Sequence, residues 1–597
     1  MQKLLSPLSK RLAGQPLARV VAVMMFAMVV TARGQGGTLD FGFSALVHGA
    51  PIHRRAPLAG GDVDLTRCDL LLSGLEIKTA SGEWLASRDW FAFLSLDAKR
   101  AKSQATGLPP GEVTAIRFQV GLPASINAAD PSRWEVGHVL HPEVNGLHWS
   151  WQGGYIFGAI EGHYWSKKDK DQAPGGFAFH YARSENAVAV ELPVEFRSGG
   201  PVTLMLELDL SVLLGGVDLQ AGATSTHSRP GDPVSDAMKS RWASAFRIGA
   251  VHYDQLQPVV TPASAMLPAH ATPLPLAVTQ RFPQMPLPAD NPLTVEGVAL
   301  GKRLFHDTRL SNNSTQACAS CHQQNAAFSD TRRVSLGAEG QKGKRQSMAL
   351  FNLAWHQSFF WDGRAATLRE QVLMPITDSN EMNASLDLVV SRLRDDQTYP
   401  AQFKSAFGDG DISPDMIAKA LEQYLLTLIA QDSKFDRALR KLTKLSPSEA
   451  RGLQLFVTEH DPVRGLRGAD CSHCHGGMLF TDNGSHNNGL SMKSGDTGRG
   501  GVTGDAADLG KFKTPSLRNI ALTAPYMHDG RFKTLEEVVD HYSSGMQRSE
   551  TLDPNLAKHP AAGLQLTADE KADLVAFLKT LTDEPTPTPR ELTAAHP

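Results

Sequence analysis

The chain has 597 residues, 41% of them hydrophobic and 20% charged, which is too long for one core and predicts about three or four domains. Its net charge of −3 provides no basic field for nucleic acid, and no acidic tail is present. Fifty-two glycines and thirty-six prolines point to many loops and turns.

Lys3, Lys10, Arg11 and Arg19 precede an apolar run from Val20 to Val30, followed by small residues at Ala32 to Gly34. This is the pattern of a secretory signal over residues 1–34, so the mature chain is expected in the periplasm with no membrane span after cleavage. Residues 36–255 read as short strands. Alternation in Val113–Val120 and in Ala187–Leu192 predicts sheets with one buried face, hence an all-β sandwich. Nine prolines between Pro258 and Pro292 predict a stiff, extended linker over 256–292.

Beyond the linker the texture is mainly helical. Ser446-Pro447-Ser448-Glu449 has the form of a helix start, and Met416–Ile429 and Thr567–Leu581 carry apolar residues at helical spacing. Ser347–Val372 aligns without gaps on Thr514–Val539 at an offset of 167. Both copies carry Leu-x-Asn-x-Ala and Asp-Gly-Arg-x-x-Thr-Leu-x-Glu-x-Val. Upstream of each, Gly301-x-x-Leu304-Phe305 and Gly452-x-x-Leu455-Phe456 precede a Cys-x-x-Cys-His string. Two copies of one unit are therefore expected, at 293–444 and 445–583, with a fraying tail at 584–597.

The two strings are Cys318-Ala319-Ser320-Cys321-His322 and Cys471-Ser472-His473-Cys474-His475. In each, two thiols can form thioethers with haem vinyl groups and the adjacent His can ligate iron. Two such strings at equivalent points of a duplication predict two covalent c-type haems, with His322 and His475 as proximal ligands. His473 reads as an ordinary solvent-facing residue, and Cys68 is left over.

Residues 292–583 resemble the bacterial dihaem cytochrome c peroxidase and MauG superfamily, through Phe360-Trp361-Asp362-Gly363-Arg364, Gln371, Pro375 to Met382, and Pro525 to Gly530. The resemblance implies that Glu381 moves a proton between peroxide oxygens over the first haem, that Gln371 holds Glu381, and that Trp361 bridges the haems electronically. It also implies an interdomain calcium at Gln346, Thr523 and Pro525. Two positions depart from the peroxidase pattern. Ala338 stands where reductively activated peroxidases carry a second His ligand, which leaves the first haem open. Tyr542 stands where they supply Met to the second haem, with Met546 and His541 as nearby competitors. Both departures are MauG-like, and a tyrosinate favours the high-valent haem iron that such enzymes share between both irons.

Residues 36–255 resemble the MbnP family of copper-binding periplasmic proteins, whose partner is the MauG-like enzyme MbnH. The matching strings are Ala115 to Gly121, Gly146-Leu147-His148-Trp149-Ser150-Trp151-x-Gly153-Gly154-Tyr155 and Gly176-Phe177-x-Phe179-His180. In that family a Trp is oxidised to kynurenine and copper binding depends on it. In a strand, Trp149 and Trp151 point to one face. They are the candidate modified residues, and His48, His148 and His180 are the candidate copper ligands. The leading expectation is a peroxide-dependent oxidase acting on its own N-terminal domain. The alternatives are a peroxidase that reduces hydrogen peroxide with electrons from a small periplasmic carrier, and an electron carrier joined to a copper store.

Overall fold

The computed structural model describes residues 37–583 apart from 53–54, 59–60, 88, 136, 150–152, 167–172, 254–270, 280, 462–464 and 492–494. The signal-like start, Trp151 and the tail after Asp583 lie outside the described residues.

The N-terminal region is built from strands β1 (Gly37–Val47), β2 (Arg67–Thr79), β3 (Gly111–Val120), β4 (Ile156–Ser166), β5 (Gly175–Ala182), β6 (Val188–Ser198), β7 (Pro201–Asp209), the two-residue β8 (Ser225–Thr226) and β9 (Phe246–Tyr253). One sheet has the order β9-β7-β1 and the other β6-β3-β2-β4-β5-β8, each with short strands added. The two segments whose alternation marks them as strands, β3 and β6, pair antiparallel with each other, Val188 opposite Val120. Their inward side chains, among them Ile116, Phe118, Val190 and Phe196, join Leu39, Phe41 and Leu204 of the other sheet in one core. Cys68 is fully buried on β2 as a free thiol, and burial pushes its pKa up, so it packs as a small apolar residue.

The helical region contains α1 (Val295–Phe305), α2 (Cys318–Cys321), α3 (Leu368–Thr377), α4 (Pro414–Leu426), α5 (Pro447–Val457), α6 (Leu535–Asp540), α7 (Pro554–Ala557) and α8 (Ala568–Lys579). Helix α5 starts with Ser446 as N-cap and Glu449 closing the capping box. Helix α1 packs on α4, and α5 packs on α8 in the same way. The repeated glycine in Gly-x-x-Leu-Phe explains why. A Cβ on Gly301 would meet the Ala420 carbonyl at 1.9 Å, and one on Gly452 would meet the Asp573 carbonyl at 1.9 Å. The repeated Asn has an equally specific task. Asn352 and Asn519 both adopt φ near +57°. Each clamps the chain just past the second helix of its unit, Asn352 through Ala430 and Asn519 through Leu581 and Asp583.

The described part of the proline-rich segment, residues 271–279 and 281–292, is not a free spacer. Phe282 is buried with Trp355 and Leu479, Trp355 donates its indole N–H to the Pro283 carbonyl at 3.1 Å, and Arg518 stacks on Phe282. The segment therefore lies across both haem units. The β region also docks on the second unit. His163 donates to the Leu552 carbonyl at 2.6 Å, and Asn555 donates to Glu161 at 3.1 Å. Backbone meets backbone there, because a Cβ on Gly176 would strike the Pro554 carbonyl.

Gly452→Ala tests the helix contact. Ala gains about 1 kcal/mol in helix propensity, yet its methyl has only a backbone carbonyl to displace, and overpacking costs about 1–3 kcal/mol. The expected outcome is a lowered thermal midpoint, followed by optical absorption of the haem-loaded protein. A raised midpoint would show that propensity wins and that the helices do not need the glycine.

Candidate functional site

The two Cys-x-x-Cys-His strings occupy equivalent places. Cys318 to Cys321 form the single turn α2, and Cys471 to His473 form a 3-10 turn entered through Asp470 in the left-handed region. His322 directs Nδ1 to the Phe328 carbonyl at 2.9 Å, and His475 directs Nδ1 to the Phe480 carbonyl at 3.1 Å. A carbonyl only accepts, so Nδ1 carries the proton in both rings and Nε2 is left with its lone pair. Burial lowers the pKa of both, which keeps them neutral. This donor set, two thiols beside a neutral imidazole with its tautomer fixed, fits a c-type haem in each unit.

Around the first site, Glu381 is half-buried in the loop after α3. Burial raises its carboxyl pKa, reinforced by Asp378 and opposed by Arg364, and its charge reaches the Cys318 and Cys321 thiols. Its carbonyl accepts the Ala338 N–H at 2.7 Å, so the residue that cannot bind iron lies directly beside the acid. Gln371 lies on α3. Among the described residues no hydrogen bond joins its side chain to Glu381. The loop is instead tied to α3 through the Met382 N–H and the Pro375 carbonyl at 3.1 Å.

Trp361 joins the two units. Its indole N–H donates to the Gln346 carbonyl at 2.8 Å, its carbonyl accepts from Lys513 at 2.7 Å, and its ring lies 6.5 Å from His528. Gln346 also donates its backbone N–H to His528 at 2.8 Å and its side-chain amide to Asp330 at 3.3 Å. It therefore adjoins the loop that carries Thr523 and Pro525, in which the Ala524–Pro525 peptide is cis.

Tyr542 lies in a π-helical turn, His541–Gly545, that continues α6. The Cys471 and Cys474 thiols act on its phenol, Asn488 donates to its oxygen at 3.3 Å, and burial pushes its pKa well above the usual range. A phenolate at this depth needs a cation beside it. His541 already directs Nε2 to the Asn488 carbonyl at 2.9 Å.

The remaining predicted residues divide. His48 is exposed in the turn after β1, its backbone N–H held by Ser211, and it does not line the cleft between the β region and the second haem unit. That cleft, of about 120 Å³, is lined by Trp149, His148, His180, His227, Asp470 and His473. The Trp149 segment is a loop and not a strand. A bridge between His148 and Tyr155 closes it, Trp149 exchanges backbone hydrogen bonds with Gly153 and Gly154, and both glycines have positive φ. Trp149 is 9% exposed and its ring lies 5.5 Å from that of His227. His148 packs edge-on against Tyr155 at 4.6 Å, and burial lowers its pKa to about 4.

Two residues depart from the sequence reading. His473 is not solvent-facing: its side chain is 5% exposed, because the β region covers it. His227, which the sequence reading passed over, meets it with Nε2 3.0 Å from Nε2. Strand pairing brings His227 there. Ala178 and Phe179 of β5 lie in parallel register with Ser225 and Thr226 of β8, so the next positions, His180 and His227, are neighbours. Glu161 on β4 supports His180 at 2.9 Å, and burial lowers the pKa of His180 to about 3.

The family model for di-haem cytochrome c peroxidase matches residues 295–444, and the MbnP model matches residues 36–228. The chain is 38% identical over 305 residues to the methylamine utilization protein MauG of Methylophilus methylotrophus, which spans 51% of this chain and 87% of that one. It is 34% identical over 314 residues to the cytochrome c peroxidase of Escherichia coli K12, over 51% of this chain and 62% of that one. A crystal structure of a MauG-like protein associated with microbial copper homeostasis is 37% identical, with a TM-score of 0.48, covering 52% of this chain and 97% of that one. No described helix is long and apolar enough to cross a membrane. The chain thus belongs to the MauG-like di-haem cytochrome c peroxidase family, haem-dependent oxidoreductases acting on peroxide, and carries an MbnP domain fused ahead of its haem region.

Proposed function

We propose that this is a periplasmic oxidase that uses peroxide to convert Trp149 of its own MbnP domain to kynurenine, which then contributes to a copper site. The observation that carries the reading is the run of rings Trp149, His227 and His473. It leads from the buried indole to the second haem-attachment motif through a 5.5 Å ring separation and a 3.0 Å nitrogen contact. Fusion adds a high effective concentration of substrate at the oxidant.

When bound, the haems supply iron that accepts oxidising equivalents from peroxide. The protein's own groups do the rest. Glu381 takes a proton from one peroxide oxygen and delivers it to the departing one, a task suited to a carboxyl whose pKa is raised toward neutrality. Ala338 leaves the peroxide side free of a second ligand, and Tyr542 offers a phenolate to the second haem. Trp361 bridges the units, and calcium at Gln346, Thr523 and Pro525 would brace the same junction. At Trp149 the C2–C3 bond of the indole breaks and each of the two carbons gains one oxygen, a four-electron oxidation that consumes two molecules of peroxide and releases, net, two of water. Hydrolysis of the N-formyl product releases formate and exposes an aniline nitrogen and a ketone beside His227 and His180, where copper would bind. Trp151, two residues on in the sequence, is the second candidate, and His148 also lines the cleft.

Glu381→Gln should retain both haems and slow the reaction with peroxide roughly 100- to 10,000-fold, read by stopped-flow absorption. A near-wild-type rate would remove Glu381 from this role. Tyr542→Phe should change the low-spin EPR signature of the second haem, and an unchanged spectrum would move the assignment to Met546. Peptide mapping after peroxide should find kynurenine at Trp149, and Trp149→Phe should abolish the peroxide-induced rise in copper affinity with both haem spectra intact. An unmodified Trp149, with steady peroxide turnover when a small reduced carrier is supplied, would assign the peroxidase role instead.

A further inference from the structure

The cleft holds a constellation that oxidation of Trp149 does not require. One nitrogen from each of His180, His227 and His473 lies within 4.8 Å of the others. A carboxylate stands behind each ring: Glu161 and Glu459 are hydrogen-bonded to His180 at 2.9 Å and His227 at 3.0 Å, and Asp470 lies 2.5 Å from His473 Nδ1 without hydrogen-bond geometry. That is the arrangement by which carboxylates orient imidazoles toward a metal. His180 spends Nε2 on Glu161, and its buried Nδ1 has no hydrogen-bond partner. His227 and His473 turn Nε2 toward each other at 3.0 Å. Metal–nitrogen bonds of about 2.0–2.1 Å put tetrahedral ligands about 3.3 Å apart, so the pair is already near ligand spacing.

Charge points the same way. The carboxylates of Asp69, Glu161, Glu459 and Asp470 are buried together, and the fixed cations paired with them are Arg67, Arg100 and Lys558. Four anions against three cations leave a negative excess in a place where uncompensated charge is costly.

We infer that His180, His227 and His473 form a copper site shared by the two domains, with the third ligand supplied from inside the second haem-attachment motif. Three imidazoles with no thiolate suit copper or zinc, and copper stands highest in the divalent affinity order. The cleft beside Trp149 leaves room for a further donor. The site is complete in the unoxidised chain, so it goes beyond the oxidation proposed above. Because two ligands come from β5 and the end of β8 and one from the haem unit, binding also fastens the domains together.

The test uses the haem-loaded full chain before any peroxide, titrated with copper(II) alone, with metal content measured after gel filtration and EPR recorded. The wild-type chain should retain one copper, and the low-spin signal of the second haem should broaden, because His473 stands between Cys471 and Cys474. His227→Ala and His473→Ala should lose stoichiometric binding. Glu459→Gln should weaken it roughly 10- to 100-fold. His473→Ala alters a haem-attachment string, so His227→Ala, on the other domain, keeps the test decisive if haem loading falls. No retained copper, equal retention by His227→Ala, or bound copper without effect on the haem signal would each overturn the site. An unmodified Trp149 after peroxide would overturn the oxidation reading and leave this one standing.

Discussion

The Asp470 side chain is 2% exposed, and a carboxylate at that depth must be met by cations and hydrogen bonds or it destabilises the fold by several kcal/mol. Here it is met by Lys558 at 2.9 Å, by His559 at 3.0 Å and by His473. Lys558 is itself buried and turns also to Glu459 at 3.2 Å, which holds His227 of the MbnP domain. A chain of paired buried charges thus runs from the haem-attachment turn, through the segment after α7, to the docked domain. Removing any member leaves its neighbours unpaired, so the domains meet in one geometry. That geometry is what sets Trp149 and His227 against the second haem motif.

The sequence made the covalent chemistry legible and left the junction between domains obscure. Cys-x-x-Cys-His is a local pattern, and the repeated Gly, Asn and Asp-Gly-Arg are local needs of one fold used twice, so all of them can be read by position. The alternation of Val113–Val120 and Ala187–Leu192 survived because a half-buried strand imposes period two wherever it sits. His473 departs from the solvent-facing expectation for the opposite reason: its burial depends on a domain hundreds of residues away, and nothing within its own string signals that. His227 follows a two-residue strand too short to show any period, and Glu161 is a charge within a strand buried almost throughout. That Trp149 and Trp151 share a face holds only for a strand, and alternating aromatics imitate one, whereas Gly153 and Gly154 take the chain through positive φ and bond back to Trp149. In the proline-rich segment, composition carries no sign of the packing of Phe282 against Trp355.

The two haem units share their attachment, their proximal tautomer and their helix crossing, so their different tasks must come from positions where the copies diverge. Within the attachment string the copies diverge at Ala319 against Ser472 and at Ser320 against His473, and of these His473 faces the other domain. Ser320 turns inward, its hydroxyl accepting the Ala317 N–H at 3.1 Å and capping its own short turn. His473 turns outward and meets His180 and His227 of the other domain. The attachment turn thus belongs to a closed unit in one copy and, as a 3-10 turn, to an interface in the other. A serine at 473 has no reach across the cleft, and a histidine at 320 would lose the short cap that Ser320 makes. The divergence is confined to the two positions between the cysteines, because the cysteines and the following His are fixed by haem attachment. This explains how a second domain can be seated at the edge of a haem without disturbing the iron ligand two residues away.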